Sequence, residues 1–354
     1  MNILFDARYT RTDYHDGISR YTAELGNALA TLTPVTFIIC DDQQKKWFPK
    51  STSFIKIHSG TSLKEPWTAY ILNKYKPDVV YSPMQTIGTW GRKYKSVLTP
   101  QDMIYYRHPK APGFLQLHVR AGWWLYHQSY IPQRLILKGG DIITTVSKTS
   151  AKDLKDARMT KLPITVVYNA PQQFKTHPVR HAKTVQNIVY MGSFMPYKNA
   201  ETLIRAMEWL PDRTLHLLSR ISAERKEQLT QLIPQGAQVI FHNGVTDDEY
   251  EKLLADNAVL ASASLDEGYG IPVAEAMAMG VPAAISDIPV FHEVGANGAL
   301  YFDPKSPQDF AKKLKLLDNA AFRNKQIEAA HAHVATFSWE KSAKALLAAI
   351  KTAL

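Results

Sequence analysis

The sequence predicts an α/β protein with two doubly wound, Rossmann-like domains, and three observations carry this prediction. The chain has 354 residues, which is more than one hydrophobic core usually serves. Short apolar runs alternate with amphipathic stretches, as expected when helices connect the strands of a parallel sheet. The alternation occurs in two series, separated by a polar segment. We therefore expect two domains of about 170 residues each.

The first series predicts an N-terminal domain over residues 1–175. Its apolar runs predict strands at residues 3–5, 35–40, 78–81, 96–99 and 142–146, and a run at 166–171 closes the series. Residues 172–186 contain prolines, histidines and basic residues, which together indicate a linker.

The second series predicts a domain over residues 176–337. Its strands are expected at residues 187–191, 215–218, 238–241, 258–261 and 283–286. A last helical stretch begins at Trp339, within a terminal segment of residues 338–354. Ligands of open parallel sheets bind beyond the carboxyl ends of the strands. The motifs below all follow strands, so we expect the two domains to face one central cleft.

Composition narrows the classes of partner. Lys and Arg outnumber Asp and Glu by 42 to 32, and the net charge of +10 favours anionic ligands. No zinc-finger spacing, basic zipper or aromatic RNA-binding signature occurs, so we expect no nucleic acid partner.

The lone Cys40 fits a reducing compartment. The chain shows neither a leader segment nor an apolar run of membrane length, so we expect a cytoplasmic protein, soluble or peripheral to the inner face of the membrane.

The sequence lacks the usual metal and dinucleotide motifs. No Asp-x-Asp, His-Glu-x-x-His or Cys-x-x-Cys spacing occurs, so we expect no metal. The absence of a Gly-x-Gly-x-x-Gly fingerprint disfavours a nicotinamide enzyme. We therefore predict that the protein works without a cofactor.

The most informative segment is residues 265–280, in which seven residues separate Glu267 from Glu275. Glu267 would lie on a loop, and Glu275 would lie about one turn into a helix. A carboxylate at the second position can accept hydrogen bonds from paired hydroxyls, such as those of a ribose. The spacing thus suits a sugar nucleotide whose phosphates lie between the two acids.

The residues between the two acids support an anion site. Gly268 and Gly270, with Tyr269 and Ile271 beside them, let backbone N–H groups approach an anion closely. Pro272 is favoured as a first helical residue, so the positive helix end would face that anion. The alternative is an ordinary turn followed by an acid that complements the helix dipole.

Two further loops offer positive charge for a diphosphate. Gly192, Ser193 and Lys198 follow the first strand of the second series, and Lys198 would reach the phosphates. Arg220, after the next strand, is a second candidate. The alternative for both cations is a solvated surface position.

The segment from Glu267 to Glu275 resembles the Glu-x7-Glu motif of a large family of retaining glycosyltransferases. These enzymes have two Rossmann-like domains (the GT-B fold), and the family includes sucrose synthase, bacterial glycogen synthase and many mannosyltransferases. The resemblance implies metal-independent transfer of a hexose from a nucleoside diphosphate sugar to a hydroxyl of a glycan or glycolipid. It favours GDP-mannose as donor, with a UDP-sugar as the next choice. It also implies that the C-terminal helix crosses back to the first domain.

The resemblance also implies roles for individual residues. Glu267 would position the sugar, Glu275 would bind the ribose, and Gly244 with Val245 would lie near the base. In the N-terminal half, Gly17 would let a helix begin close to the donor phosphate.

The sequence departs from the family pattern at two places. Ser193 or Tyr197 occupies a position where arginine is common, which removes one half of the usual basic clamp. Gln101 replaces the usual histidine that contacts the transferred sugar, although Asp102 remains. Glutamine can donate and accept hydrogen bonds but does not titrate. In this family the leaving phosphate is thought to accept the acceptor's proton, so transfer remains our prediction.

Two alternatives stay open from the sequence. A nucleotide-sugar-binding protein that has lost transfer would explain Gln101 and the absent arginine. A UDP-sugar epimerase or a phosphorylase of the same architecture is the other alternative, and no signature favours it.

Residues 114–138 suggest contact with a membrane. Aromatic and basic side chains are mixed there, as in helices that lie on anionic bilayers: Trp123, Trp124, Tyr126, Tyr130, Arg120, Arg134 and Lys138. The alternative is an aromatic stripe buried in the core.

Overall fold

The structure, a computed structural model, describes residues 1–111, 117–172, 174 and 179–354. The chain divides into two compact units. Unit 1 comprises Met1–Asn169 together with Ser338–Leu354, and unit 2 comprises Ala170–Phe337. Each unit is built on its own parallel sheet.

The sheet of unit 1 has seven strands among the described residues, and every pairing is parallel. The strands are β1 (Ile3–Asp6), β2 (Val35–Ile39), β3 (Ser53–Lys56), β4 (Val79–Ser82), β5 (Lys95–Leu98), β6 (Ile142–Thr145) and β7 (Ile164–Val166). Their order is β3-β2-β1-β4-β5-β6-β7, so the winding direction reverses between β1 and β4. These two central strands are buried along their whole length, as expected for strands with both faces covered.

Helices and short 3₁₀ turns connect these strands. The helices are α1 (Gly17–Leu32), α2 (Thr68–Asn73), α3 (Ile104–Arg107), α4 (Leu117–Tyr126), α5 (Ile131–Leu137) and α6 (Lys148–Asp156), and the 3₁₀ turns are Asp42–Trp47 and Glu65–Trp67. The side chain of Asp16 caps α1 by accepting from the backbone N–H of Ser19 at 2.9 Å. Ala69 and Leu72 of α2 share one apolar core with Leu137, at the end of α5.

The sheet of unit 2 has six parallel strands in the part that the structure describes. They are β8 (Asn187–Tyr190), β9 (Thr214–Leu217), β10 (Gln238–Phe241), β11 (Ala258–Ser262), β12 (Ala283–Ser286) and β13 (Ala299–Phe302). The order is β10-β9-β8-β11-β12-β13, which places the reversal of winding between β8 and β11.

The helices of unit 2 follow the same alternation. They are α7 (Ala200–Ala206), α8 (Ala223–Thr230), α9 (Asp247–Ala255), α10 (Ile271–Met279), α11 (Pro289–Gly295), α12 (Pro307–Lys315) and α13 (Ala320–Val334), with 3₁₀ turns at Pro196–Lys198, Met207–Trp209, Ala296–Gly298 and Leu316–Asp318. Helix α10 has a run of buried residues, Val273 to Met277, which explains its largely apolar sequence.

The C-terminal helix, α14 (Trp339–Ala353), belongs to unit 1 and packs against α1. Ser342 donates to the backbone oxygen of Tyr168 at 2.7 Å, and the ring of Trp339 lies 6.1 Å from that of Tyr21. The predicted α/β class with two doubly wound sheets, and the return of the last helix to the first domain, are both confirmed.

Some details of the sequence prediction are wrong. The edge strands β3 and β13 were not expected, and α10 begins at Ile271, so Pro272 is its second residue. Residues 114–138 do not form one helix, because α4 and α5 are separated by residues 127–130, while residues 114–116 lie outside the described chain. Within the described residues, no helix is long and apolar enough to cross a membrane.

Candidate active site

The candidate site of unit 2 lies where the winding of its sheet reverses. The loops after β8 and β11 leave the sheet in opposite directions there, which opens a crevice at the carboxyl ends of the strands. Backbone contacts join the two loops, because Leu265 N–H donates to the oxygen of Tyr197 at 2.7 Å. Asn199 adds a side-chain contact, with Nδ2 donating to the oxygen of Ala263 at 3.1 Å.

Lys198 and Glu267 meet at this junction. Lys198 Nζ donates to Glu267 Oε1 at 2.6 Å, and the two side chains are 17% and 12% exposed. Ser264, which is fully buried, donates from Oγ to the same carboxylate oxygen at 2.8 Å. Among the described residues, no hydrogen bond reaches Oε2 of Glu267. The carboxylate is therefore held through one oxygen and keeps acceptor capacity on the other.

The loop with Glu267 leads directly into α10. Gly270 caps the helix with φ +102°, a conformation that favours glycine, and a Cβ atom there would lie 2.7 Å from a ring carbon of Phe291. Gly268 and Tyr269 are buried, and the Tyr269 ring lies edge-on to Phe337 at 5.8 Å. The positive end of the helix dipole thus lies beside Glu267.

Glu275 is the fifth residue of α10, one turn beyond Ile271, and is only 3% exposed. A carboxylate so deeply buried requires hydrogen-bond donors or a cation close to it. This position agrees with the predicted distance of about one helical turn from the helix start.

The loop after β8 is fixed by a buried tyrosine. Tyr190 donates from its hydroxyl to the backbone oxygen of Ser193 at 2.6 Å, and a Cβ atom on Gly192 would lie 2.9 Å from that hydroxyl. Burial and the nearby charge of Glu267 raise the pKa of Tyr190 well above its ordinary value. The hydroxyl therefore stays protonated and remains a donor to the loop. Ser193 itself is exposed.

The loops after β9 and β10 bring Arg220 and Gly244 together. Gly244 has φ +105°, and a Cβ atom on it would lie 3.0 Å from Cγ of Arg220. The backbone N–H of Gly244 donates to the oxygen of Leu218 at 2.8 Å, which ties the two loops to each other. Val245 follows, one residue before the α9 cap Thr246.

The remaining predicted residues lie at the carboxyl edge of unit 1. Gly17 is exposed and is the first residue of α1. Gln101 Nε2 donates to the backbone oxygen of Pro83 at 2.8 Å, which holds the side-chain amide beside the end of β4. Asp102 accepts from the backbone N–H of Ile104 at 2.9 Å and so begins the turn into α3.

Sequence reasoning missed a buried ion cluster at the reversal point of the unit 1 sheet. Arg8 donates to both oxygens of Asp6, at 2.8 and 2.9 Å, and to both oxygens of Glu65, at 2.7 and 3.0 Å. Ser82, at the end of β4, donates to Asp6 at 3.1 Å. Burial acts to lower the pKa of Arg8, but the charges of Asp6 and Glu65 outweigh it and raise the pKa above its ordinary value.

Sequence reasoning also missed Ser264 and Asn199. Ser264 lies in the short segment between β11 and Glu267, and its only signal in the sequence was a hydroxyl residue three positions before an acid. Asn199 has φ +51° and joins two loops through Nδ2, which donates to Ala263 and also to Pro304 at 2.7 Å. Asparagine tolerates this left-handed conformation better than most residues do.

No group of three or more His, Cys, Asp or Glu side chains among the described residues is arranged to hold a metal ion. Metal independence therefore stays a prediction. Lys198 and the start of α10 both supply positive charge in this site.

Comparisons with known proteins show the family to which the chain belongs. Residues 172–333 match the family described as "Glycosyl transferases group 1". The chain is 31% identical to the O-antigen chain mannosyltransferase RfbU of Salmonella typhimurium, over 87% of this chain and 89% of that protein. It is 29% identical to O-antigen chain mannosyltransferase B of Escherichia coli, over 43% of this chain and 42% of that protein.

Solved structures share the fold. Sucrose-phosphate synthase from Thermosynechococcus elongatus superposes with a TM-score of 0.78 at 18% identity, covering 99% of this chain and 98% of that one. Anabaena Alr3699/HepE, solved in complex with UDP and glucose, gives 0.74 at 17% identity, covering 99% and 100%. The family match, the relative from Salmonella typhimurium that aligns over most of the chain, and the shared GT-B fold agree with one another. The chain therefore belongs to the group 1 glycosyltransferases, retaining enzymes that transfer a sugar from a nucleotide-sugar donor.

Proposed function

We propose that this enzyme transfers mannose from GDP-mannose to a hydroxyl of a growing O-antigen-type glycan or glycolipid. The observation that carries the proposal is the meeting of Lys198 and Glu267 beside the start of α10. This places a cation, a carboxylate with one open oxygen and a positive helix end in one crevice. The relative from Salmonella that aligns over most of the chain is an O-antigen chain mannosyltransferase, which supports mannose as the sugar and an O-antigen-type acceptor.

The donor side divides into three roles. Lys198 and the amides at the start of α10 stabilise the charge that develops on the leaving diphosphate, a task that Arg220 supports from the neighbouring loops. Glu267 accepts hydrogen bonds from sugar hydroxyls through Oε2, while Oε1 stays with Lys198 and Ser264. Glu275 accepts hydrogen bonds from the hydroxyls of the ribose.

The glycine loops leave room for the donor. Gly192, Gly268 and Gly270 let the diphosphate approach the backbone, and Ser193 adds a hydroxyl in place of the missing arginine. Gly244 and Val245 lie beside the base. In unit 1, we expect Gly17, Gln101 and Asp102 to contact the transferred sugar and the acceptor.

The transfer proceeds with retention of configuration at the anomeric carbon of the sugar. The acceptor oxygen forms the new glycosidic bond as the bond between the sugar and the diphosphate breaks. The acceptor's proton passes to an oxygen of the departing diphosphate, so the enzyme needs no titrating side chain at position 101. The protein's part is to orient both substrates and to stabilise the negative charge of the leaving group.

Calorimetric titration with GDP and UDP, followed by a transfer assay with GDP-mannose and UDP-sugars, tests the proposal. We expect tighter binding of GDP, and mannosylation of a lipid-linked glycan with the donor's anomeric configuration preserved in the product's NMR spectrum. Saturable binding without product would favour a protein that has lost transfer. An isomerised sugar released without any acceptor would favour an epimerase.

We place the reaction at the cytoplasmic face of the membrane, where a nucleotide sugar and a lipid-linked acceptor can meet. The basic net charge of +10 supports contact with an anionic surface. Fractionation of cells that express the tagged chain tests this location, and recovery with secreted proteins would contradict it.

A further inference from the structure

The loop after β8, residues 191–195, is held by two side chains of unit 2. Tyr190 donates from its hydroxyl to the backbone oxygen of Ser193 at 2.6 Å. Arg225, on α8, donates from Nε to the next backbone oxygen, that of Phe194, at 3.1 Å. Two consecutive carbonyl groups of the loop are therefore fixed, one of them by a side chain that lies 31 residues away in the sequence.

The two carbonyl groups point to the same side of the loop. Burial and the charges of Glu267 and Glu201 raise the pKa of the Tyr190 hydroxyl, so it stays protonated and remains a donor. The charge of Arg225 acts in the opposite direction, which means that the guanidinium lies near the hydroxyl. The rings of Tyr190 and Phe194 pack at 5.8 Å within the core of unit 2. Both carbonyl groups thus face the inner side of the loop.

The N–H groups of the same peptide units point outwards. In a trans peptide the C=O and N–H groups are antiparallel. Fixing the carbonyl groups of Ser193 and Phe194 inwards therefore turns the N–H groups of Phe194 and Met195 away from the core. Among the residues that the structure describes, no acceptor receives a hydrogen bond from either of these N–H groups. Successive N–H groups on one side of a loop form a site for an anion.

Arg225 fixes geometry more than it adds charge. Besides the bond to Phe194, its Nη2 donates to Glu201 of α7, and its Nη1 donates to Gln228 Oε1 at 3.3 Å. Glu201 balances the charge, and the two side chains of this ion pair are only 24% and 21% exposed. Lysine would carry the same charge, but it lacks the planar, rigid set of donors that reaches three segments at once.

We infer that the N–H groups of Phe194 and Met195 bind the diphosphate of the donor. Tyr190 and Arg225 are then positioning residues, which act through the loop and do not contact the donor. The same loop ends in Lys198 and lacks arginine at positions 193 and 197. Two oriented N–H groups supply part of the stabilisation that an arginine side chain would give to the leaving group. The inference rests on the proposed nucleoside diphosphate donor, but not on the identity of its base or sugar.

Calorimetric titration of the full chain with GDP, UDP, guanosine and uridine tests the inference. Tyr190→Phe removes the hydroxyl and keeps the buried ring, whereas Arg225→Lys keeps the charge and removes the rigid donors. In each variant we expect the Kd of the preferred nucleoside diphosphate to rise about tenfold or more, which corresponds to the loss of one hydrogen bond to a charged group. The Kd of the matching nucleoside should stay the same, because the N–H groups contact only the diphosphate.

Two control variants separate positioning from a general packing effect. Tyr301→Phe removes a hydroxyl that donates to the backbone oxygen of Ala296 at 2.6 Å in the same unit, and Arg205→Lys changes an exposed arginine of α7. Both should keep the diphosphate affinity of the unaltered protein, and thermal unfolding of every variant checks that folding is intact. Unchanged diphosphate affinity in Tyr190→Phe and Arg225→Lys, or an equal loss of nucleoside affinity, would overturn the inference.

Amide NMR spectra of the chain with isotope-labelled phenylalanine observe one of the two N–H groups directly. The Phe194 resonance is identified as the one that is missing from Phe194→Leu. We expect it to move downfield when the nucleoside diphosphate is added, and to move less in Tyr190→Phe. A resonance that does not move would overturn the inference. Binding of UDP in place of GDP, with the same losses in both variants, would support the inference and contradict only the proposed donor.

Discussion

Lys198 Nζ lies 2.6 Å from Glu267 Oε1, and this contact joins the loops that follow β8 and β11. The carboxylate holds the ammonium at the crevice, and the ammonium fixes one carboxylate oxygen. Both groups are therefore oriented by the protein itself, which is the condition for effective electrostatic stabilisation.

Lys198→Ala should lower kcat/KM by about 100- to 1,000-fold, the usual effect of removing one preorganised donor from a leaving-group site. Steady-state transfer kinetics and calorimetric titration with GDP measure the change. The control is Lys325→Ala, on the exposed side of α13. Unchanged activity together with unchanged nucleotide affinity would remove Lys198 from the site.

Ser264→Ala should reduce kcat by about tenfold or more while GDP affinity stays the same. A hydrogen bond to a charged group contributes about 1.5–3 kcal/mol, and here it orients Glu267 rather than the diphosphate. Ser286→Ala is the matched control, because Ser286 is equally buried but donates to the backbone oxygen of Ser262. An equal loss of activity in both variants would indicate a general packing effect.

Gln101→His should preserve or raise transfer activity if this side chain contacts the sugar, because imidazole can also donate and accept hydrogen bonds. The new side chain must also replace the bond from Gln101 to the oxygen of Pro83. Transfer kinetics and thermal unfolding should be measured together. Loss of activity in a variant with unchanged stability would show that the loop is assigned incorrectly.

The strands could be predicted from the sequence because most are short apolar runs in buried sheets. The two that were missed, β3 and β13, each lie at the edge of a sheet. In β3 only Ile55 is buried, so the segment lacks a continuous apolar run. The residues before β13 contain Gly295 and Gly298, which favour a turn over a strand.

The individual residues of the candidate site could be predicted from the sequence, but the contacts between them could not. Lys198 and Glu267 are 69 residues apart, and their contact depends on β8 and β11 being neighbours in the sheet. The sequence alone does not fix that order. The Asp6–Arg8 pair was missed for a related reason, since Glu65 completes the cluster from 57 residues away.

Arg8→Met should lower the free energy of unfolding by about 3–5 kcal/mol, because it leaves the carboxylates of Asp6 and Glu65 without their cation. Chemical denaturation of both proteins measures the difference. The control is Arg11→Met, whose partner Asp16 is exposed, and it should cost about 0–1 kcal/mol. Equal losses in the two variants would contradict a special role for burial.

A histidine pair in unit 2 should make stability depend on pH. Asn187 Nδ2 donates to the oxygen of Asp256 at 2.6 Å, which leaves its Oδ1 to accept from His216 Nε2 at 3.2 Å. Nδ1 of His216 then accepts from His242 Nε2 at 3.0 Å, an arrangement that requires a neutral His216. Burial lowers the pKa of both histidines, and the charge of His242 lowers that of His216 further.

The pKa values of His216 and His242 are depressed in the folded chain, so the unfolded chain binds more protons once the pH falls below their ordinary value of 6.5. The stability that the neutral pair contributes is therefore present above that pH and is lost as the pH falls towards the folded-state values. Thermal unfolding measured between about pH 7 and pH 5 should show a decrease in Tm that is smaller in His242→Gln. The exposed His331→Gln should keep the full decrease, and the same pH profile in all three proteins would show that the pair does not govern it.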